Sequence, residues 1–183
     1  MHWLHRCGGN KLLVSLVLGD DFVACWQRNA RSGWLSYAER HGYDLLIFHA
    51  PLDPSPRASS RSPSWQKCLV VQHPLVADYE QVVWLDADIL INSDQAPDIA
   101  AVVPPDKIGG TNAYSVYNRA MHDHLYEAYI RLCQRDGKKL FISRSGRDYY
   151  RQFGLQTELD EVLQCGVLVL NPDRHAEVFD HVY

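Results

Sequence analysis

Apolar residues gather in short runs separated by polar turns. Residues 11–18 (KLLVSLVL) are rich in leucine and valine and lead into Gly19-Asp20-Asp21, the pattern of a buried strand that ends in a polar turn. Residues 43–49 (YDLLIFH) predict a second buried strand, 81–91 (QVVWLDADILI) a third, 107–111 a short fourth, and 163–170 (LQCGVLVL) another. Between them lie segments of helical period. Residues 29–40 set Ala30, Trp34, Leu35 and Ala38 on one face, with Gly42 as the stop. Residues 119–135 do the same with Met121, Leu125, Ala128, Tyr129 and Leu132, with Gly137 in the C′ position. Ser62-Pro63 and Asn171-Pro172 are N-cap and N1 pairs that open two further helices. Pro74 ends or kinks the first of these, because proline lacks a backbone donor and clashes with the preceding turn. The Pro-, Ser- and Arg-rich stretch 50–64 reads as a mobile loop over the sheet edge.

Alternation of strand and helix predicts an α/β fold, a mainly parallel sheet flanked by helices on both faces. The 183 residues suit one domain over 11–183, with residues 1–10 as a short N-terminal tail. The final helix shows no C-capping signal before Tyr183, so the chain reads as truncated at its C-terminus.

Composition narrows the partners. Net charge is −4 and no basic face carries interleaved aromatics, which excludes nucleic acid as a partner. Cys7, Cys25, Cys68, Cys133 and Cys165 form an odd set without a CxxC pair. Cys25, Cys68 and Cys165 sit in apolar runs, where a reduced thiol acts as a small hydrophobe. This fits a reducing, cytoplasmic compartment. No apolar stretch is long enough for a signal peptide or a membrane span; a fragment of a membrane-anchored enzyme is the alternative.

Asp86 and Asp88 carry the chemical information. In an extended chain, positions i and i+2 project from the same face. Four apolar residues precede the pair and three follow it, so two like charges are expected to lose hydration and repel each other. A hard divalent cation, Mn²⁺ or Mg²⁺, relieves both and keeps open positions for phosphate and water. Ligands bind at the carboxyl ends of strands in open α/β sheets, where this pair falls. The plainer alternative has one aspartate capping the turn and the other solvated.

Three blocks together, Ser64-Trp65-Gln66-Lys67, Val83-Trp84-Leu85-Asp86-Ala87-Asp88-Ile89-Leu90-Ile91-Asn92 and Gln164-Cys165-Gly166-Val167-Leu168-Val169-Leu170-Asn171, resemble the donor-site signature of GT-A (Rossmann-like) glycosyltransferases. The likeness is strongest to the galactosyl/mannosyl/xylosyltransferase family and weaker to glycogenin-like enzymes. It implies a metal-dependent enzyme, of retaining stereochemistry, that moves a sugar from a UDP- or GDP-sugar donor to a carbohydrate or other hydroxyl acceptor.

Carried over residue by residue, the resemblance implies that Val17, Leu18, Gly19 and Asp20 hold the base and ribose, and that Lys67 neutralises the donor phosphates or contacts the sugar. Trp65 is expected in the core. Asp86 is expected on the ribose or on the metal through water, Asp88 as the direct metal ligand, and Ala87 between them at the donor. Gly166 lets the backbone pass close to the donor sugar. Gln164 and Asp160 are the candidate catalytic groups, with Glu161 beside them; Gln164 departs from the family's shorter amide. Related folds take a third metal ligand, often histidine, from beyond the last strand and helix. His175 and His181 lie six apart and do not share a helical face, so neither is read as that ligand. Two other readings compete. A haloacid-dehalogenase-type phosphatase also uses Asp-x-Asp, but it wants a threonine where Ile89-Leu90-Ile91 stand. A catalytically inactive sugar-nucleotide-binding module would keep the donor site alone.

Overall fold

In the computed structural model, residues 1–113, 119–138, 143 and 145–183 are described. They divide into two compact units, 1–109 with 166–183, and 110–165.

The first unit is built on the strands β1 (His2–His5), β2 (Lys11–Leu16), β3 (Tyr43–Phe48) and β4 (Gln81–Leu85), and on most of the strand that returns beside β4. β2 lies between β3 and β4 and is parallel to both; β1 adds antiparallel to β3. With β5 (Gly109–Asn112) and β6 (Leu163–Leu170), the sheet order is β1-β3-β2-β4-β6-β5, and β4 and β6 are antiparallel. The sheet is therefore mixed, parallel at its centre. Residues 1–10, expected as a tail, supply an edge strand. Asp44 anchors this stretch by accepting bonds from the Cys7 and Gly8 N–H groups at 2.7 and 3.1 Å and from the Tyr79 hydroxyl at 2.5 Å.

Period-two alternation sends side chains to two cores. Leu13, Leu45, Ile47, Val83, Leu85 and Val169 face one layer, where they meet Trp26, Trp34, Tyr37 and Ala38 of the helices α1 (Asp20–Asn29) and α2 (Arg31–His41). Leu12, Val14, Leu46, Phe48, Val82, Trp84, Leu168 and Leu170 face the other. There they meet Val70 and Val71 of a 3₁₀ helix (Pro63–Gln72) and Ala176 and Phe179 of the final helix, 172–182. α1 replaces what the sequence reads as a simple turn. Gly19, at φ 87°, turns the chain out of β2 into it, and Asp20 and Asp21 fill its first turn, where the N–H groups are unpaired. Gly42, left-handed at φ 70°, stops α2 as expected.

Stretch 50–64 makes contacts along its length. It holds the short helix α3 (Pro56–Ser59), and Gln66 Oε1 accepts from the Leu52 and Asp53 N–H groups. The Tyr183 hydroxyl donates to Asp53 at 2.7 Å, and the Arg57 and Arg61 guanidinium groups lie over the Tyr183 ring. Trp65, expected in the core, is 44% exposed beneath Arg61. Cys25 and Cys165 are exposed rather than packed, while Cys68 and Cys133 are buried.

The second unit contains α4 (Arg119–Asp136) and α5 (Gly146–Gln152). α4 closes as expected at Gly137, φ 62°, with the Lys138 N–H bonded to the Cys133 carbonyl. Among the described side chains of α4 Cys133 is the buried one, while Met121, Leu125 and Leu132, expected inside, are exposed. None of the described helices is long and apolar enough to cross a membrane.

Candidate functional site

β4 stops at Leu85, not at Ile91. The Asp86 N–H makes one last ladder bond, to the Gly166 carbonyl at 2.7 Å, and the Asp86 carbonyl then accepts from the Ile89 N–H at 3.0 Å. That bond closes a β-turn over residues 86–89. The two aspartates thus share a turn rather than one face of a strand, and the alternation argument that paired them does not apply.

The chain after the turn is held by α2. Trp34 Nε1 donates to the Ile89 carbonyl at 2.9 Å, the Tyr37 hydroxyl to Pro97 at 2.8 Å, and Arg40 to Ser93 and Asp94 at 2.7 Å. His41 Nε2 lies 3.1 Å from the Ala96 carbonyl. Side chains on successive turns of one helix therefore take the place of a partner strand for residues 89–97. Gly33 permits the approach, since a Cβ there would lie 2.9 Å from the Ile91 carbonyl oxygen.

The turn opens on a cleft of about 280 Å³ at the carboxyl edge of the parallel strands β2 and β4. Its walls are Leu16 and Leu18 from the exit of β2, Phe22 from the first turn of α1, Pro63 and Ser64 from the start of the 3₁₀ helix, and Trp84, Asp86, Ala87 and Asp88. Leu18, Asp86, Ala87 and Asp88, named from sequence, come together here. Leu16, Phe22 and Trp84 were missed, although Trp84 was within reach of the period-two rule because it precedes Asp86 by two. Val17 does not reach the cleft: it is fully buried in the core, and its N–H bonds the Phe48 carbonyl at 2.8 Å. Asp20 is exposed at the start of α1 and is not among the cleft residues.

The aspartates differ in environment. The Asp88 side chain is exposed in the turn. That of Asp86 is 34% exposed, and its Oδ1 accepts from Lys67 Nζ and from Trp84 Nε1, each at 2.7 Å. The Lys67 side chain is 10% exposed and forms an ion pair with this carboxylate. Asp86 Oδ2 receives no bond from the described residues. The premise of two buried carboxylates is therefore corrected: one is paired and one is solvated.

Two oxygen donors facing one cleft suit a hard divalent ion completed by substrate phosphate and water. They do not suit a closed protein cage, and among the described residues no group of three His, Cys, Asp or Glu side chains is placed to hold a metal. His175 is buried, with Nδ1 accepting the Asn171 N–H at 2.9 Å, and burial lowers its pKa. It is a structural residue.

Asp160 and Gln164 belong to the second unit. The Asp160 backbone packs so closely on Gly146 that a Cβ there would lie 2.4 Å from it, and Asp160 Oδ1 accepts from the Arg147 N–H at 3.5 Å. Gln164 is exposed on β6, and Gly166 is buried beside Asp86.

Neither a protein-family model nor a curated protein sequence matches the chain. Among solved structures, a glycosyltransferase involved in the glycosylation of the major capsid of PBCV-1 superposes with a TM-score of 0.50 at 13% identity, over 93% of this chain and 64% of that one. The chain thus spans under two thirds of the length of its structural neighbour. At such identity the likeness speaks for the fold alone: a mixed α/β fold with a six-stranded sheet flanked by helices, similar to that of a glycosyltransferase.

Proposed function

We propose that the chain is the donor-binding part of a metal-dependent glycosyltransferase, which takes a sugar from a UDP- or GDP-sugar to the hydroxyl of a carbohydrate or similar acceptor. One observation carries the reading. In a GT-A-like fold, the turn bearing Asp86 and Asp88 lines a cleft at the carboxyl edge of the parallel strands. Leu16, Leu18 and Phe22 offer an apolar wall for the base, and Ala87 keeps the turn small. Asp88 and Asp86 Oδ2 would hold Mn²⁺ or Mg²⁺, which when bound acts as a Lewis acid on the diphosphate leaving group. Gly166, whose carbonyl continues the ladder to Asp86, would let the donor sugar pass close to the backbone. The resemblance alone assigns Gln164 and Asp160 to the reaction and supports a retaining outcome.

Calorimetry with UDP and GDP, with and without Mn²⁺, tests the reading. Nucleotide binding should require the metal and disappear in Asp88→Ala. A panel of nucleotide sugars then reads turnover, and release of phosphate from simple esters instead would favour the phosphatase chemistry. Mn²⁺-independent binding that survives in Asp88→Ala would refute the site.

A further inference from the structure

The site contains its own cation. Lys67 Nζ and Trp84 Nε1 converge on the same oxygen of Asp86, and Nζ lies 5.7 Å from the centroid of the Trp84 ring. Each of the three side chains therefore touches the other two. Lys67 comes from the 3₁₀ helix and Trp84 from β4, whose packing fixes both: Lys67 is 9% and Trp84 3% exposed. A flexible surface lysine can swing away from a carboxylate, but one held at this depth over an indole cannot do so without leaving Asp86 to the indole N–H alone.

This changes the charge that a divalent ion meets. Two aspartates alone would present two negative charges and attract such an ion unaided. With the ammonium in place, Asp86, Asp88 and Lys67 together carry a net charge of about −1, and an incoming cation also meets a like charge a few ångströms from its ligand. A nucleoside diphosphate would supply the missing anionic oxygens. We propose that Lys67 and Trp84 are positioning residues that hold Asp86 by Oδ1, and that the Lys67 ammonium makes divalent-ion binding conditional on the nucleoside diphosphate. The proposal rests on the donor-site reading above.

The test is Mn²⁺ binding to the intact chain, by calorimetry or by the electron-spin resonance of free Mn²⁺, with and without UDP. The wild-type protein should bind Mn²⁺ weakly alone and tightly with UDP. Lys67→Met and Lys67→Gln should bind Mn²⁺ alone roughly tenfold more tightly than wild type or better, the consequence of removing one unit charge at this range. In them the further gain on adding UDP should shrink. Lys67→Arg should behave as wild type. Trp84→Phe keeps the ammonium but loses one bond, so its nucleotide-free affinity should stay within about twofold of wild type. Circular dichroism identifies the folded variants, and Lys67→Gln, which still offers Asp86 a donor, decides if Lys67→Met does not fold. Unchanged or weaker nucleotide-free Mn²⁺ affinity in the folded charge-neutral variant overturns the proposal while leaving the donor site standing. Absence of Mn²⁺-linked UDP binding in the wild type overturns the donor site itself.

Discussion

Asp86 and Asp88 are neighbours in sequence and opposites in energetics. Asp86 pairs with a lysine that is nine-tenths buried, so Asp86→Ala would remove a carboxylate from a poorly solvated ammonium. That variant should lose about 2 kcal/mol or more of stability, read as a melting point lower by about 5 °C or more for a chain of this size. Asp88 is solvated, and Asp88→Ala should lie within about 0.5 kcal/mol of wild type by urea unfolding while losing metal-linked nucleotide binding. Equal stability losses in the two variants would contradict the asymmetry. The pair itself was legible in the sequence because two acids stood inside an apolar run. Their inequality was not, because Lys67 approaches from an element 19 residues upstream, and no local pattern reports that.

At the scale of elements, local chemistry was the readable part. Ser62 with Pro63, Asn171 with Pro172, and Gly42 and Gly137 each satisfy or end a helix within a few residues, so their positions follow from the chain alone. Two misreadings share another cause. Both were judged by local character: α1 turns Val23 and Trp26 toward the core, but Gly19-Asp20-Asp21 at its start reads as a turn, and residues 89–91 look like strand because they are apolar, whereas the donor to the Ile89 carbonyl sits on α2, 55 residues earlier. Gly33 is the test of that packing. Gly33→Ala would drive a methyl group against the Ile91 carbonyl, and at a site with no room to yield it should destabilise by about 1–3 kcal/mol, although alanine is the better helix former. A stabilised variant by denaturant midpoint would mean that α2 and the 89–97 segment are not locked together.

For the molecule as a whole, acid is the discriminating variable. Burial opposes ionisation of Asp44, but the Tyr79 hydroxyl and the Cys7 and Gly8 N–H groups outweigh it and hold its carboxyl below the ordinary value. Asp98 is likewise lowered, burial being overcome by Lys11 and Tyr43. A carboxyl lowered on folding adds stability that is complete above its unfolded value of about 3.9 and is lost as pH falls beneath that. His73 and His175, lowered by burial, act earlier: the unfolded chain takes up their protons first once pH drops below about 6.5. Urea midpoints should therefore decline gently below about pH 6.5 and more steeply below about pH 4, with the second fall diminished in Asp44→Asn. A midpoint flat from pH 7 to 3 would contradict both. The α2 clamp has one more consequence. Adding or deleting a single residue between Ile89 and Pro97 would put every downstream carbonyl out of step with the helix face that reads it, so this irregular stretch is governed like a ruler. Variation in chain length around the cleft must be absorbed elsewhere on its rim.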